Sequence, residues 1–385
     1  MDVAVVGAGP AGAWAAYRLA RAGARVTIFD ASHPREKPCG GGVTGRALAL
    51  VREALNGSID HATHIRSARF TSTDGRKAVV PLGDRALEVT DRTRFDRALL
   101  DAAIQAGATL VAERVVDVSA STRAALRTRA ESYAADFVVG ADGANSLVRR
   151  KLGAPFTRAQ LSIAAGCFAR GVRSDEIVIE LIGDPPGYLW SFPRADHLAI
   201  GVCAQADTGM AASALRCAAA AWIRRTHLAP ECSRLDWYSW PIPSLAARDL
   251  ADQTIAGPRW CLVGDAAGLV DPITREGIYF AIASGAWASE SIARARDLSR
   301  DYNECVKDEA YAELAAAARL KTGFFRPAFT HLLLDALEHS APVRAVMADL
   351  VAGTQSYRTL KWRLLNTLEI GLAGRALKLL IARKR

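Results

Sequence analysis

The sequence lacks several patterns that mark large classes of protein. Its seven cysteines form no Cys-x-x-Cys pair and their number is odd, which predicts neither a disulfide framework nor a zinc site. Its seven histidines show no metal-ligand spacing, so we expect no bound metal. No Ser/His/Asp set and no phosphate-binding P-loop is visible. These absences disfavour metalloenzymes, triad hydrolases and P-loop enzymes, and the cysteine usage fits a reducing cytoplasm.

Long hydrophobic runs are also lacking. No apolar stretch reaches the roughly 18 residues that a membrane-spanning helix needs, although half of the 385 residues are hydrophobic. The first strand pattern begins at residue 2, which predicts that no signal peptide precedes it. We therefore expect a cytoplasmic protein that lies in solution or peripherally on a membrane.

Positive charge is scarce outside the C-terminal segment. The net charge is +9, and residues 358–385 contain eight Lys or Arg and one Glu, a net +7 that leaves +2 for the rest. This distribution predicts docking on an anionic membrane surface and disfavours a nucleic-acid groove. Leu364 and Leu380 lie on one broad helical arc of the segment, although Gly371 and Gly374 weaken the helix. The alternative is a helix packed on the body with its cations in solvent.

The first thirty residues contain the clearest motif. An apolar run precedes Gly7-Ala8-Gly9-Pro10-Ala11-Gly12, and a helical pattern then leads to a second apolar run that ends at Asp30. This order predicts the strand, turn, helix and strand of a dinucleotide-binding unit. Gly7 permits the turn, Gly9 lets a pyrophosphate approach the backbone, and Gly12 lets helix and strand pack closely. Asp30 can reach a ribose hydroxyl, but this unit alone does not distinguish FAD from NAD.

Two further acidic motifs follow predicted strands. Asp142-Gly143 comes after the apolar run at 137–139, and Gly264-Asp265 comes after the run at 259–263. An ordinary NAD domain needs only the first glycine motif, whereas an extended cofactor such as FAD explains why distant segments repeat the pattern. The alternative is that Asp142 and Asp265 only form turns.

These three motifs, in this order, resemble those of flavoproteins of the p-hydroxybenzoate hydroxylase type. The stretch from Arg92 to Leu99 is similar to a further element of that family, whose first Arg contacts FAD. The resemblance implies FAD as cofactor and an external electron donor, for which NAD(P)H is one candidate. It implies cofactor-binding roles for Gly7, Gly9, Ala11, Gly12, Asp30, Gly40, Gly41, Gly42, Arg92, Val116, Asp142, Gly143, Gly264, Asp265, Pro272, Glu276, Gly277 and Ile278.

Two other stretches resemble one branch, the geranylgeranyl reductases. Lys37-Pro38-Cys39-Gly40-Gly41-Gly42 is similar to their Cys-Gly-Gly-Gly loop, and 186–193 is similar to their Tyr-x-Trp-x-Phe-Pro signature. The chain departs from the family where Cys203 replaces a second Gly and where Arg275 replaces a small residue that faces the flavin. The resemblance implies a reductase that saturates carbon–carbon double bonds of a prenyl chain with hydride from flavin N5. The alternatives are a monooxygenase of the same fold and a flavin-bound protein without turnover.

The substrate side of the site is expected to combine aromatic residues with one thiol. Tyr188, Trp190 and Phe192 recur at period two, which puts them on one face of a strand and predicts an apolar wall for a prenyl lipid. The alternative is that they only fill the core. Pro193 and Arg275 complete the expected substrate residues. Cys39 is the expected catalytic residue, a thiol activated by the neighbouring Lys37; the alternative is a small residue at a tight turn.

The expected fold class is α/β with an added β-rich domain. We expect a discontinuous Rossmann-like FAD-binding domain from 1–60, 91–155 and 255–310. An antiparallel substrate domain is expected from 61–90 with 156–254, and a helical region from 311–385. Among the elements, 95–106 is predicted as a helix, 109–118 as a strand-like run, and Asp74-Gly75 as a hairpin turn.

Overall fold

The computed structural model describes residues 1–55, 57, 59–230, 234–294, 297–367 and 371. The strands of this part of the chain are β1 (Asp2–Val6), β2 (Arg25–Phe29), β3 (Gly42–Thr44), β4 (Thr63–His64), β5 (Ser67–Thr71), β6 (Lys77–Pro81), β7 (Leu87–Val89), β8 (Thr109–Val111), β9 (Asp117–Ala120), β10 (Ala124–Arg127), β11 (Ser132–Ala135), β12 (Phe137–Gly140), β13 (Leu161–Arg170), β14 (Glu176–Gly183), β15 (Pro186–Pro193), β16 (His197–Gln205), β17 (Leu235–Pro243), β18 (Ala256–Gly257) and β19 (Trp260–Leu262). The helices are α1 (Pro10–Arg21), α2 (Gly45–Val51), α3 (Arg92–Gln105), α4 (Leu147–Leu152), α5 (Ala212–Thr226), α6 (Ala247–Asp252), α7 (Ile278–Arg294), α8 (Leu298–Val306), α9 (Ala312–Phe324), α10 (Pro327–His339), α11 (Ala341–Val351) and α12 (Tyr357–Leu365).

The apolar runs near the N-terminus build a six-stranded sheet in the order β18-β19-β12-β1-β2-β8. Its neighbouring strands are parallel except for β18 with β19. Helix α1 packs against α3 and α7, and Gly285 lets α7 approach closely because a Cβ there would lie 2.6 Å from the Ala11 carbonyl oxygen. This arrangement is the Rossmann-like, dinucleotide-binding fold that the N-terminal motif predicts.

A seven-stranded sheet in the order β17-β13-β16-β15-β14-β5-β6 forms the second large layer. Its pairs are antiparallel except for β14 with β5. One face packs against α5, where Trp222 meets Leu189 and Val202. The other face has Trp190 and Cys203 at its centre and is partly covered by the helices after α8. Period-two alternation along β15 thus assigns Trp190 to the face opposite α5.

The elements differ from the sequence-based expectations at two places. The strand expected over 109–118 is wrong as a single element, because β8 pairs with β2 while β9 pairs with β10 in a separate sheet. Helix α3 begins at Arg92, before the expected 95, because the Asp91 carboxylate accepts a hydrogen bond from the Arg94 N–H at 2.9 Å. The turn at Asp74-Gly75 is confirmed, with Gly75 at φ +87° between β5 and β6.

The C-terminal helices end in α12, which packs on the body. Tyr357 and Leu360 are buried, and Leu364 contacts the same apolar cluster instead of lying on an outer stripe. Of the predicted membrane segment, 368–370 and 372–385 lie outside the described residues. In the part of the chain that the structure describes, no helix is long and apolar enough to span a bilayer.

Candidate active site

The three glycine-containing loops meet at the end of the six-stranded sheet where its parallel strands terminate. They follow β1, β12 and β19, which are parallel neighbours, so their carboxyl ends lie together. Gly7 has φ +105°, and a Cβ there would lie 2.4 Å from the Ala141 carbonyl oxygen. A Cβ on Gly12 would lie 2.0 Å from the Gly7 carbonyl oxygen. Only glycine therefore fits both positions, at the crevice where open α/β sheets bind ligands.

Helix α1 begins at Pro10, within the first of these three loops. Gly9 is its N-cap residue, and no side chain caps the first turn within the described residues. The N–H groups of that turn and the positive end of the helix dipole are thus available to phosphate oxygens. Ala11 lies under the third loop, since a Cβ on Gly264 would be 3.1 Å from the Ala11 Cβ. The small side chain at Ala11 therefore lets the third loop pass close to α1.

Asp30, at the end of β2, is the centre of a buried hydrogen-bond network. Its Oδ2 accepts from the Ala8 N–H at 2.9 Å and contacts His33 Nδ1 at 2.7 Å. His33 Nε2 lies 3.4 Å from Asp96 Oδ2. Burial alone would raise the pKa of Asp30, but His33, Ala8 and Ser32 hold it well below its usual range. Burial opposes the protonation of His33, yet its two carboxylate partners raise its pKa.

Arg92 extends this network towards the cofactor edge. Its Nε and Nη2 donate to the two Asp96 carboxylate oxygens, each at 2.8 Å, and both side chains are buried. The backbone N–H of Arg92 donates to Glu36 Oε2 at 3.2 Å. The bidentate pair with Asp96 therefore fixes the side chain of Arg92, the arginine that is expected to contact FAD, without any bound ligand.

Asp142 stabilises the start of α4. Its carboxylate accepts hydrogen bonds from the Leu147 N–H at 2.6 Å and from the Ser146 hydroxyl at 2.5 Å. Gly143 has φ +78° and open space around the position of a Cβ. Val116 lies between β8 and β9, where its N–H donates to the Arg127 carbonyl. These contacts favour a turn-forming role for Asp142, and contact with a cofactor stays a prediction for all three residues.

Arg194, which the sequence-based analysis missed, holds the Cys-Gly-Gly-Gly loop on the sheet. Its side chain is only 1% exposed. Nη1 donates to Glu36 Oε1 at 2.7 Å and Nη2 donates to the Cys39 carbonyl oxygen at 2.8 Å. Its charge also lies 4.9 Å from the ring centre of Phe168. A buried guanidinium with these partners fixes the loop that presents Cys39.

The glycines of this loop make room for Phe192. A Cβ on Gly40 would lie 3.1 Å from the Phe192 ring, and one on Gly42 would lie 3.3 Å from it. Gly41 has φ +88°, and a Cβ there would lie 2.1 Å from the Thr90 carbonyl oxygen. The two motifs that resemble the geranylgeranyl reductases are therefore in direct contact, which gives a physical reason for their joint occurrence.

A cavity lies between this loop, the third loop and the seven-stranded sheet. The expected aromatic face is confirmed, because Tyr188, Trp190 and Phe192 all line it. Most other lining side chains are apolar, and they come from three parts of the chain: Phe70, Ile177, Ile179 and Leu181 of the sheet, Val270 and Ile273 before α7, and Phe324, Met347, Leu350 and Val351 of the C-terminal helices. Such a cavity suits a long apolar ligand.

Charged side chains in the cavity wall are mostly paired. Lys37 Nζ lies 2.8 Å from Asp265 Oδ2, so the expected activating cation for Cys39 is bound to a carboxylate. Cys39 Sγ itself accepts a hydrogen bond from the Gly41 N–H at 3.3 Å. Glu276 pairs with Arg46 at 2.8 Å, and burial raises the pKa of Glu276.

Arg275 lies in the wall with an unusual backbone. Its φ is +60°, a left-handed conformation that costs a non-glycine residue about 1–2 kcal/mol. A glycine at this position would carry no such cost, which agrees with the small residue that the resemblance implies here. The neighbouring Thr274 carbonyl accepts a hydrogen bond from the Tyr188 hydroxyl at 2.6 Å, which joins the segment to β15.

The structure brings many of the expected site residues into this one cavity. Those that line it are Cys39, Gly40, Gly41, Gly42, Arg92, Asp265, Glu276, Gly277, Ile278, Tyr188, Trp190, Phe192 and Arg275. Those outside its lining are Gly7, Gly9, Ala11, Gly12, Asp30, Val116, Asp142, Gly143, Gly264, Pro272 and Pro193. Among the missed residues are Glu36, His33 and Arg194. Only the position of Arg194 directly after the aromatic signature could have drawn attention to it.

Comparisons with known proteins agree with this geometry. Residues 1–294 match the model of the FAD binding domain family. The chain is 32% identical over 348 residues to the menaquinone reductase of Mycobacterium tuberculosis H37Rv, covering 83% of each chain. It is 33% identical over 313 residues to the geranylgeranyl diphosphate reductase of Rhodobacter capsulatus, covering 75% of this chain and 74% of that one.

The fold also agrees with a solved structure. A geranylgeranyl bacteriochlorophyll reductase-like protein from Thermoplasma acidophilum superimposes with a TM-score of 0.77 at 21% identity, over 95% of this chain and 98% of that chain. The family match, the two relatives and the paired motifs around Cys39 and Phe192 lead to one conclusion. This chain belongs to the geranylgeranyl reductase family of FAD-dependent oxidoreductases.

Proposed function

We propose that the protein reduces carbon–carbon double bonds in the prenyl chain of a lipid. The single observation that carries this proposal is the apolar, aromatic-walled cavity that opens against the Cys-Gly-Gly-Gly loop. An isolated alkene offers no polar group for recognition, so its binding depends on apolar surface and shape. Menaquinone and geranylgeranyl diphosphate, the compounds in the names of the two relatives, both carry polyprenyl chains.

The residues present fit FAD. Gly7 and Gly12 leave no room for a side chain, the first turn of α1 has no side-chain cap among the described residues, and the loop that carries Asp265 passes close to the start of α1. Arg92, Gly277 and Ile278 would hold the part of the cofactor that reaches the cavity. FAD supplies hydride from N5 once an external donor such as NAD(P)H has reduced it, so saturation of an alkene requires one further proton.

The protein itself must then orient the prenyl chain of the substrate, exclude water and supply that proton. Tyr188, Trp190 and Phe192 form the dry wall. Cys39 is one of the two cysteines that line the cavity, with Cys203, and is our candidate to hold the proton. Helix α7 starts at Ile278 directly after the lining residues, so its positive end would stabilise negative charge on a reduced ring.

The test is oxidation of the reduced protein without oxygen. FAD-loaded protein is reduced with a limited amount of dithionite, and geranylgeranyl diphosphate or a menaquinone is added anaerobically. We expect the flavin absorbance near 450 nm to return, with one saturated bond formed per flavin, detected by mass spectrometry. Because free quinone can accept electrons by itself, the saturated product is the deciding signal. Oxidation only on admission of oxygen, with a hydroxylated product, would establish the monooxygenase alternative instead.

Peripheral membrane docking is part of the same proposal. Within the described part of residues 358–385, Arg358, Lys361 and Trp362 are exposed, and the Trp362 side chain is 65% exposed. Helix α12 contacts α11, whose Leu350 and Val351 line the cavity. A membrane contact at α12 would therefore bring the lipid close to the cavity wall.

A further inference from the structure

Arg275 differs from every other charged residue that lines the cavity. Lys37 is paired with Asp265, Arg92 with Asp96, and Glu276 with Arg46. Within the described residues, no carboxylate lies within 4 Å of the Arg275 guanidinium. Among the described residues, its Nη1 donates to the Pro272 carbonyl oxygen, and its buried Nε and Nη2 have no oxygen or nitrogen partner, with the Cys203 thiol near the guanidinium. Two buried donors on a cation are thus left for a ligand.

A second basic side chain lies near Arg275, and neither of the two forms an ion pair with a carboxylate among the described residues. Within the part of the chain that the structure describes, Lys321 on α9 donates to two neutral oxygens, from Gln205 and Ser244. Burial first, and then the charge of Arg275, lower the pKa of Lys321 to about 7. The Asp271 carboxylate accepts from the backbone N–H groups of Ile273 and Thr274 and forms no ion pair with Arg275. An oxygen-rich or anionic ligand would satisfy this part of the cavity.

The apolar wall creates a need for such an anchor. Prenyl units repeat along a chain, so side chains that contact only hydrocarbon can hold it in several registers that differ by one unit. A fixed contact to the head group removes that ambiguity, because the distance from the anchor then selects one double bond. Arg275 lies in the same cavity lining as Tyr188 and Cys203.

We propose that Arg275 binds an oxygen of the substrate's polar head group and thereby sets which double bond reaches the site of reduction. This inference rests on the proposed function and adds the chemical class of the head group, a phosphate or a quinone carbonyl. Both accept hydrogen bonds from a guanidinium, whereas a plain prenyl alcohol offers a much weaker partner.

The experiment measures binding to the oxidised, FAD-loaded, full-length protein, so that it does not depend on turnover. Geranylgeranyl diphosphate, a menaquinone and geranylgeraniol are titrated while tryptophan fluorescence and flavin absorbance are followed. We expect the wild type to bind one or both head-group ligands about tenfold or more tightly than geranylgeraniol. Preference for the diphosphate assigns a phosphate subsite, and preference for the menaquinone assigns a carbonyl subsite.

The variants are Arg275→Gly, which removes the left-handed strain, and Arg275→Gln, which keeps the side-chain length without the charge. Both should lose the head-group preference and bind geranylgeraniol within twofold of the wild type, while the exposed Arg234→Gly control keeps the preference. Equal affinities in the wild type, or a preference that persists in both variants, would overturn the inference. So would a changed flavin reduction potential with unchanged preference, because Arg275 would then act on the cofactor. Failure to bind any of the three ligands would contradict the proposed function as well.

Discussion

Among single residues, Arg194 connects two components of the site, the Cys-Gly-Gly-Gly loop and the seven-stranded sheet. It binds Glu36 and the Cys39 carbonyl from the end of β15, so one buried cation joins the loop that carries the thiol to the strand that carries the aromatic wall. Arg194→Met should lower the free energy of unfolding by about 3 kcal/mol, because it leaves Glu36 and a buried carbonyl without their partner. Urea denaturation of the FAD-saturated protein measures this change.

A control for Arg194 is available at the end of β13 in the same sheet. Arg170 forms only exposed ion pairs with Asp196 and Asp236. Arg170→Met should therefore change the free energy of unfolding by less than about 1 kcal/mol. Similar losses in the two variants would show that the Arg194 contacts contribute no more than a surface pair.

The role of the Cys39 thiol in alkene reduction can be tested by substitution. Cys39→Ala should keep FAD and lose most alkene reduction, since the thiol lines the cavity beside the aromatic wall. Cys39→Ser, which preserves shape and a proton but not thiol acidity, should be intermediate. Cys217→Ala changes an exposed cysteine and serves as control. Product formation is measured by mass spectrometry, and full activity of Cys39→Ala would assign the thiol to a structural role.

His33 makes the site sensitive to pH. The folded protein raises its pKa above the ordinary value of 6.5, so the protonated form stabilises the fold. That contribution is complete below pH 6.5 and is lost as the pH rises through the raised value. The melting temperature of the wild type should therefore exceed that of His33→Gln by more at pH 5.5 than at pH 9. A constant difference across this range would contradict the prediction, and His339→Gln, an exposed histidine, provides the reference.

At the scale of elements, the Cys-Gly-Gly-Gly loop requires glycine at Gly41 mainly because a side chain there would clash, and less because of its positive φ. Gly41 and Gly75 have nearly the same φ, +88° and +87°, but only Gly41 faces a carbonyl at 2.1 Å from a Cβ. Gly75→Ala should cost about 1 kcal/mol through its backbone alone. Gly41→Ala should cost about 3 kcal/mol and reduce FAD retention, because the clash adds to the strain. Denaturation and FAD content after gel filtration measure both effects, and equal costs would show that the loop can move aside.

The sequence predicted those elements whose signal is local. The order of apolar run, glycines and helix predicted β1, α1 and β2, and period two predicted the common face of Tyr188, Trp190 and Phe192. It did not predict the break between β8 and β9, because that break depends on which distant strand each one pairs with. It also missed Arg194, since a buried charge follows no periodic pattern and its partners Glu36 and Cys39 lie more than 150 residues away.

At the scale of the whole molecule, the cavity is closed by helices that no sequence motif predicted. Met347, Leu350 and Val351 complete its wall, and α12 then follows on the outside of the body. The composition of 358–385 predicted a basic segment next to a membrane, and the position of α11 between α12 and the cavity would put such a membrane contact beside the cavity.

Sedimentation with liposomes tests the docking. The wild type should bind vesicles with anionic lipid, release them at high salt, and lose most binding when 358–385 are deleted. The double variant R358E/K361E should weaken binding, because both side chains are exposed on α12. The matched control is R66E/R248E, which reverses two other exposed charges. Binding that ignores salt and lipid charge, or an equal loss in the control, would remove membrane docking from the proposal.

The strand order of the six-stranded sheet has a consequence for biosynthesis. β1 is synthesised first and lies in the centre of the sheet between β2 and β12. Its neighbour β12 is complete only at residue 140, and β19, the other neighbour of β12, is complete only near residue 260. At about 5–20 residues per second, one edge of β1 remains unpaired for roughly 5–20 s while the ribosome adds about 110 residues. The nascent chain therefore exposes an apolar strand edge for seconds, so its yield in cells should depend on chaperones that shield such edges.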